Sequence, residues 1–216
     1  MTHAVNFPPA GAASTRGCLV DLMASAARRA LDVVAGAAGV ALGLPFAAVL
    51  ACIIKLDSRG PVFHVQEREG LDGRVFRLFK FRSMRADAEA ACPAWASEGD
   101  PRVIRVGRVM RRTRMDELPQ LLNVLAGSMT LVGPRPERPC FADDLARRIP
   151  RFAERTRVKP GITGWAQVSL PYGASVEDAR EKLAYDPHYI RHRSLAFDLR
   201  ILLATVRVVL TGAGAR

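Results

Sequence analysis

A run of uncharged residues from Val33 to Ile54 constrains this chain more than any other feature of its sequence. As a helix, these residues would measure about 33 Å, which is enough to cross the hydrocarbon core of a bilayer. The run is apolar on every side, whereas a buried helix of a soluble protein normally keeps a polar face. The pattern therefore predicts a segment that enters a membrane.

The residues around and inside this run leave its path through the membrane open. Basic residues, which orient membrane helices, stand on both sides of it: Arg28, Arg29, Lys55 and Arg59. Pro45, near the middle, removes a helical hydrogen-bond donor. A single spanning helix and a helix that breaks at Leu44–Pro45 and returns to its own side both fit these residues. A secretion signal fits less well, because structured patterns follow at once without a linker.

The sequence as a whole predicts three parts, of which the last is an α/β domain. Residues 1–27 are rich in Ala, Gly and Pro and are expected to be a poorly ordered tail, residues 28–56 form the membrane segment, and residues 57–216 form the domain. The domain is expected to be rich in helix, with one small β-hairpin. Its predicted elements are strands at 62–65 and 74–81 and helices at 85–96, from Pro119 onward, at 175–195 with an interruption at Pro187, and at 197–210.

The charge of the chain indicates an anionic partner. Lys and Arg number 32 against 21 Asp and Glu, which gives a net charge of +11. Nucleic acid, an acidic membrane surface and a phosphate-rich substrate would all suit this surplus. Six arginines lie between Arg102 and Arg114, but no aromatic residue alternates with them and the run ends in two acids. This pattern favours a compact phosphate site over a nucleic-acid track. The four cysteines form no CxxC pair, which argues against a zinc site and a disulfide framework.

The two acids at the end of the arginine run are Asp116 and Glu117. Leucines at helical spacing follow them, and Pro119 suits a first helical turn, so the acids are expected at or beside a helix N-terminus. Taken alone, the acids there would be interpreted as helix caps. The same electric field keeps a carboxylate ionised, which suits one that ligates a metal or attacks phosphorus.

Other candidate anion-binding residues lie in short motifs. Lys80 and Arg82 stand at the end of a predicted strand, where they would otherwise be edge charges that discourage strand pairing. Arg135 lies between two prolines, which would hold its guanidinium in a defined place for a bidentate phosphate contact. The turn-rich stretch 159–167 includes Trp165 and fits either a binding loop or a loop held by a buried aromatic ring.

Together these motifs resemble the monotopic phosphoglycosyl transferases, also called the bacterial sugar transferase family. The resemblance runs from about Arg28 to Leu210, and the chain looks like the minimal form without an additional preceding membrane domain. It is carried by the apolar run with Pro45, by KFRSM at 80–84, DELPQL at 116–121, LVGPRPE at 131–137 and KPGITGWAQV at 159–168.

The resemblance implies a fold, a location and a reaction. A re-entrant helix would enter the bacterial inner membrane, with interfacial helices and the catalytic domain on its cytoplasmic face. Asp116 and Glu117 would be the catalytic dyad. Asp116 would help to coordinate Mg²⁺ and would attack the β-phosphorus of a UDP-sugar, releasing UMP and leaving a covalent phosphosugar. Undecaprenyl phosphate would then accept the sugar phosphate, as the initiating step of exopolysaccharide, capsule, O-antigen or glycoconjugate synthesis.

Further site residues follow from the same resemblance. Lys80, Arg82, Arg111, Arg135 and Asp186 would bind phosphate or substrate or organise the site, and Pro45 would form the membrane break. The chain departs from the usual family pattern at Leu44, in the stretch 169–175 and at Pro187, so the sugar is left open. The sequence fits a monomer and a homodimer equally.

Two other functions would explain part of the sequence. A non-catalytic, membrane-anchored basic module that binds anionic lipid or nucleic acid would explain the charge and the apolar run, but not the paired acids or the rigid Gly-Pro-Arg-Pro loop. A polytopic sugar-phosphate transferase would need many spanning helices, and the sequence has one clear apolar run of that length.

Overall fold

The structure, a computed structural model, describes residues 15–88, 95–97, 99–170 and 175–211, with side chains from Leu22 onward. Helices predominate in these ranges and the strands are short, which confirms the predicted α/β class. The elements are α1 Thr15–Asp57, β1 Phe63–Glu69, β2 Val75–Phe81, α2 Arg105–Thr113, α3 Gln120–Ala126, β3 Thr130–Val132, α4 Pro139–Arg148, β4 Gly161–Thr163, α5 Trp165–Ser169, α6 Val176–His192 and α7 Leu195–Thr211.

The predicted hairpin is formed by β1 and β2, which pair antiparallel with Phe63 opposite Phe81 at the open end. A short 3-10 turn, Leu71–Gly73, closes it. Asp72 and Gly73 have φ angles of 54° and 74°. Gly adopts this left-handed region freely, and Asp does so more readily than most residues. The Gly-Leu-Asp-Gly stretch therefore supplies the residues that this turn needs.

Two helix predictions differ from the structure. Residues 89–94 of the helix predicted at 85–96 lie outside the described residues, and the flanking residues 85–88 and 95–97 form a turn and irregular chain instead of helix. The interruption predicted at Pro187 is wrong, because α6 runs from Val176 to His192 with this proline inside it. Ser175 and Asp178 form a capping box that fixes where α6 begins.

Helix α1 is long and continuous. It runs from Thr15 to Asp57 and includes Pro45, so the structure shows no interruption of the helix at Leu44–Pro45. It is also longer at its N-terminal end than the predicted segment 28–56; the first fourteen residues of the predicted tail lie outside the described residues. In the described part of the chain, α1 is the one helix that is long and apolar enough to cross a membrane.

One side of α1 packs along the domain. Gly36 and Gly39 let α3 approach closely, since a Cβ on either would press against Leu125 or Leu121. Further along, Ile54 is buried in a cluster with residues of β2 and α2. The remaining surface of α1 exposes large apolar side chains, namely Val34, Leu42, Leu44, Phe46, Val49 and Leu56. An exposed apolar surface of this extent is typical of a membrane-facing helix.

Polar contacts fix the position of α1 along its own axis. Arg29 donates hydrogen bonds to the carbonyl oxygens of Val124 and Leu125 at the end of α3, at 2.6 and 2.8 Å. The buried carboxylate of Asp32 accepts from the Thr130 hydroxyl at 2.9 Å and from the Leu131 amide at 2.8 Å. Sequence analysis did not identify Asp32, which looks there like one more charge before the apolar run.

Replacing Asp32 by Ala is expected to lower the stability of the folded protein by about 1–3 kcal/mol, because the Thr130 hydroxyl and the Leu131 amide lose their acceptor. Thermal melting in detergent measures this change. Asp87→Ala is a suitable control, since Asp87 forms an exposed pair with Arg85 and should change stability by at most about 0.5 kcal/mol. Equal melting temperatures for the two variants would contradict the proposed role of Asp32.

The last helix, α7, extends the predicted 197–210 by a residue or two at each end. Its Asp198 is buried, pairs with Arg28 of α1 at 3.1 Å and accepts a hydrogen bond from the Tyr189 hydroxyl at 2.8 Å. These contacts join α7, α6 and the first part of α1. Most of the opposite surface of α7 is apolar and exposed, which fits the prediction of an interfacial helix.

Candidate active site

The two adjacent acids lie in a short 3-10 turn, Met115–Glu117, between α2 and α3. Helix α2 ends because Arg114 adopts a left-handed conformation with φ 59°. Its amide group then turns back to the carbonyl oxygens of Arg111 and Met110. Helix α3 starts at Gln120, after Pro119, without a side-chain cap. The acids therefore do not cap α3, and the capping interpretation does not account for them.

Asp116 is a buried carboxylate with a perturbed affinity for protons. Burial, and then the negative charge of Glu117, raise its pKa to about 6, although Lys80, Arg111 and Arg135 oppose this change. Asp116 is thus a buried carboxylate near three cations, and its pKa lies closer to neutrality than that of an ordinary aspartate.

Glu117 has a different environment although it is the next residue. Its Oε1 accepts a hydrogen bond from Nη2 of Arg135 at 2.7 Å. Burial alone would raise the pKa of Glu117, but the charge and the hydrogen bond of Arg135 outweigh burial, so the pKa lies below its ordinary value. Two neighbouring acids with opposite pKa shifts are typical of a site in which they have different tasks.

Lys80 and Arg111 complete the charged surroundings of Asp116. Burial, followed by the charge of Arg68, lowers the pKa of the Lys80 ammonium to about 8, while Asp116 acts in the opposite direction. Nε of Arg111 donates to the Ser83 hydroxyl at 3.0 Å, which fixes that side chain on the domain. The structure therefore brings together five of the predicted residues: Lys80, Arg111, Asp116, Glu117 and Arg135.

The loop that carries Arg135 is anchored by a second small sheet. Strand β3 pairs with β4 in parallel, with Thr130 opposite Gly161, so the motifs at 131–137 and 159–168 lie side by side. Gly133 and Gly161 permit this approach, because a Cβ on either would collide with the backbone of the other segment. The amide of Gly161 donates to the carbonyl oxygen of Pro134 at 2.9 Å. The stretch 159–167 is thus partly a strand, and it holds the Arg135 loop.

Arg155, which sequence analysis did not identify, supports this loop from behind. Its Nη2 donates to the carbonyl oxygen of Arg135 at 2.8 Å and pairs with Oδ2 of Asp186 at 3.0 Å. Arg155 and Asp186 are both buried. Burial raises the pKa of Asp186, and Glu137 adds to the increase, while Arg155 and Lys182 lower it. The structure therefore places Asp186 behind Arg135 instead of beside the dyad. No local motif marks Arg155, so the sequence offered no signal for it.

Two further predicted residues lie away from the dyad. Arg82 is buried, and its guanidinium donates to Ser58 and to the carbonyl oxygen of Pro61. It joins the end of β2 to the segment after α1. Its guanidinium is therefore neither directed at the dyad, as the phosphate contact predicted for it would require, nor exposed at a sheet edge. Pro45 is on the exposed side of α1.

Asp116 is the carboxylate of the dyad that could hold a Mg²⁺ ion. Phosphoryl-transfer sites usually hold Mg²⁺ with one or two carboxylates together with phosphate oxygens and water. Asp116 offers one such carboxylate, while Glu117 is engaged by Arg135. Among the described residues, no group of three or more His, Cys, Asp or Glu side chains that could hold a metal ion occurs. A Mg²⁺ ion at Asp116 would therefore need further ligands from water or from a bound phosphate.

Comparison with known proteins gives one family for nearly the whole chain. The family described as "Bacterial sugar transferase" matches residues 23–212. A UDP-N-acetylgalactosamine-undecaprenyl-phosphate N-acetylgalactosaminephosphotransferase of Aeromonas hydrophila is 46% identical over 189 residues, which are 88% of this chain and 45% of the relative. The chain thus spans about half the length of that relative.

Other relatives are of more similar length. A UDP-glucose:undecaprenyl-phosphate glucose-1-phosphate transferase of Caulobacter vibrioides is 46% identical over 186 residues, which cover 85% of this chain and 70% of the relative. An exopolysaccharide production protein of Rhizobium leguminosarum is 38% identical and is covered over 95% of its length. The first two relatives are equally similar to this chain, yet their names give different sugars, so similarity does not select the donor.

Proposed function

The chain belongs to the bacterial sugar transferase family, and we propose that it transfers a sugar-1-phosphate from a UDP-sugar to undecaprenyl phosphate with release of UMP. One observation supports this proposal more strongly than the others. Asp116 is a buried carboxylate with a raised pKa, and it lies near the cations Lys80, Arg111 and Arg135 while its neighbour Glu117 is held by Arg135. A nucleophile that attacks a diphosphate needs this arrangement.

The reaction proceeds in two steps. An Oδ atom of Asp116 forms a bond to the β-phosphorus, the bond from that phosphorus to the bridging oxygen breaks, and UMP leaves with the electron pair. A phosphate oxygen of undecaprenyl phosphate then attacks the same phosphorus and displaces the carboxylate, which gives an undecaprenyl diphosphate sugar. A covalent intermediate lets a water-soluble donor and a lipid acceptor use one site in turn.

The cations have a clear task in both steps. An anionic carboxylate approaching a diphosphate is repelled, and Lys80, Arg111 and Arg135 offset this repulsion. Asp116 would hold Mg²⁺ together with the diphosphate oxygens, and the ion would supply further charge neutralisation. Glu117 keeps the Arg135 guanidinium directed at the site through their 2.7 Å hydrogen bond.

The proposal is tested with purified protein, Mg²⁺ and a panel of UDP-sugars that includes UDP-glucose and UDP-N-acetylgalactosamine. UMP is measured before and after undecaprenyl phosphate is added. One sugar should give a stoichiometric burst of UMP without lipid and continuous turnover with it. Folded protein that releases no UMP from any sugar would contradict the proposal and would favour the basic binding module.

The activity should depend on pH as a bell-shaped curve. Asp116, with a pKa of about 6, must be ionised to attack, so kcat/KM should fall about tenfold per pH unit below that value. Lys80, with a pKa of about 8, must be protonated to bind phosphate, so kcat/KM should fall again above that value. Initial rates between pH 5 and 9.5 measure both limbs, and Lys80→Arg should remove the alkaline one. A profile that is flat from pH 5 to 9 would contradict these roles.

We further propose that in the membrane α1 bends at Pro45, where the helix lacks a backbone donor, so that it enters the cytoplasmic leaflet of the inner membrane and returns to the same side. Basic residues at both ends of its apolar run support this path, since they favour the cytoplasmic side. Single cysteines placed near Thr15 and near Asp57 can be labelled in intact cells with a reagent that does not cross membranes. Both ends should be protected equally; labelling of one end alone would show a spanning helix.

A further inference from the structure

A groove with a largely apolar lining adjoins the dyad. Its volume is about 160 Å³, and Glu117 forms part of its lining. The apolar side chains come from three segments of the domain that are far apart in sequence. They include Leu118 and Leu121 beside the dyad, Ile162 of β4, Val168 of α5 and Val208 of α7.

We propose that this groove binds the hydrocarbon chain of the polyprenyl phosphate acceptor and holds its first isoprene unit next to the phosphate that reacts. The proposal rests on the proposed function, because that function requires a lipid acceptor at the dyad. It adds the place where the lipid lies and the residues that select it.

The size of the groove suits this occupant. An engineered apolar cavity of about 150 Å³ is known to accept benzene, so a groove of similar volume accepts an apolar group of five or six carbon atoms. One isoprene unit has five. The groove would then bind the part of the lipid nearest the phosphate, while the rest of the chain extends beyond it.

The charges at the groove also match an amphiphile and not the nucleotide sugar. Arg114 and Glu117 line it, and Lys80, Arg111 and Arg135 act on the adjoining Asp116. A polyprenyl phosphate has one anionic end and one apolar chain, so its two ends fit these two environments. A UDP-sugar is polar along its whole length, and its burial in an apolar groove would leave polar groups without hydrogen bonds.

The groove is continuous with the exposed apolar surface of α7. Val209 lines it and is also 39% exposed, and its neighbour Leu210 is 81% exposed. Val206 and Leu203, one and two turns earlier, are 57% and 74% exposed. A lipid chain that leaves the groove along α7 therefore stays on apolar surface, which allows the acceptor to enter from a bilayer.

The test compares lipid use with the lipid-independent first step. Val208→Phe fills the groove and Val208→Ala enlarges it, while Val75→Phe makes the same change as the former at an exposed position of β2 that does not line the groove. For each protein, the KM for undecaprenyl phosphate is measured, together with the burst of UMP without lipid. Val208→Phe should raise this KM about tenfold, and Val208→Ala by a smaller factor, because each weakens apolar contact with the chain.

The possible outcomes distinguish a failure of the proposed lipid binding in the groove from a failure of the proposed transferase function. A Val208→Phe protein with an intact burst and an unchanged KM for the lipid would contradict binding of the lipid in the groove, and so would an equal rise of KM in Val75→Phe. Wild-type protein without UMP release would instead contradict the proposed function itself. Gln167 supplies a second variant, because its Oε1 is buried without a partner in the described structure. If Gln167→Leu raised the KM for the UDP-sugar and not for the lipid, the groove would hold sugar hydroxyl groups instead.

Discussion

Asp116→Asn is expected to lower UMP release by at least about 10⁴-fold, both in the burst without lipid and in turnover with it. The amide keeps the shape of the side chain but is a poor nucleophile towards phosphorus. Glu117→Gln should be less severe, since it weakens the pairing with Arg135 without removing the attacking group. Asp143→Asn, at an exposed position on α4, is the matched control and should retain full activity.

The Asp116→Asn variant should also be more stable than the wild type at neutral pH. The pKa of Asp116 in the folded protein is about 6, above the ordinary 3.8, so the fold favours the neutral form and ionisation opposes folding. Wild-type stability should therefore fall as the pH rises from about 4 to about 6 and then remain level. The variant does not ionise there, so its advantage should grow over this range to at most about 3 kcal/mol.

Melting temperatures at pH 4.5 and 7.5, measured without substrate, test this expectation. An inactive variant that melts higher than the wild type at pH 7.5, and by a clearly smaller margin at pH 4.5, would show that activity is lost through chemistry and not through unfolding. A variant that is less stable at pH 7.5 would mean that the cations around Asp116 stabilise its charge more than burial opposes it.

The parts of the site that depend on local patterns were predictable from the sequence. The order of arginines, two acids and spaced leucines predicted two acids beside the start of a helix, and α3 begins at Gln120, shortly after them. Their assignment as a catalytic dyad came from the family resemblance and not from this pattern. The Gly-Leu-Asp-Gly turn and the two flanking strands were predictable for the same reason. In each case the physical cause lies within about ten residues of chain.

The parts that depend on distant contacts were not predictable. Asp32 bonds to residues almost a hundred positions away, and Arg82 turns from the site to Ser58 and Pro61. Pro187 was expected to interrupt α6, but the helix is held on both sides of it. Asp186 pairs there with Arg155, and Tyr189 bonds to Asp198, so tertiary contacts outweigh the local cost of the proline.

Breaking the ion pair between Arg155 and Asp186 should have the second large effect, which is on stability. Arg155→Met is expected to destabilise the protein by about 3–5 kcal/mol, since it leaves Asp186 as a buried charge and the carbonyl oxygen of Arg135 without its donor. For a chain of this length, that loss corresponds to a melting temperature lower by about 10 °C. Arg151→Met is a control on the same segment, because Arg151 pairs with Glu154 at a partly exposed position and this pair should contribute at most about 1 kcal/mol.

The double variant Arg155→Met/Asp186→Leu distinguishes the contribution of this ion pair to stability from its contribution to activity. Removing both charges should recover most of the stability, because no unpaired buried charge remains. Activity should not recover, since the Arg135 loop still lacks its donor and the guanidinium that pairs with Glu117 is no longer held in place. The expected signature is a low kcat with near-normal melting. Recovery of both properties would show that Arg155 serves only to neutralise Asp186, and additive losses of stability would show that the two residues are not coupled at all.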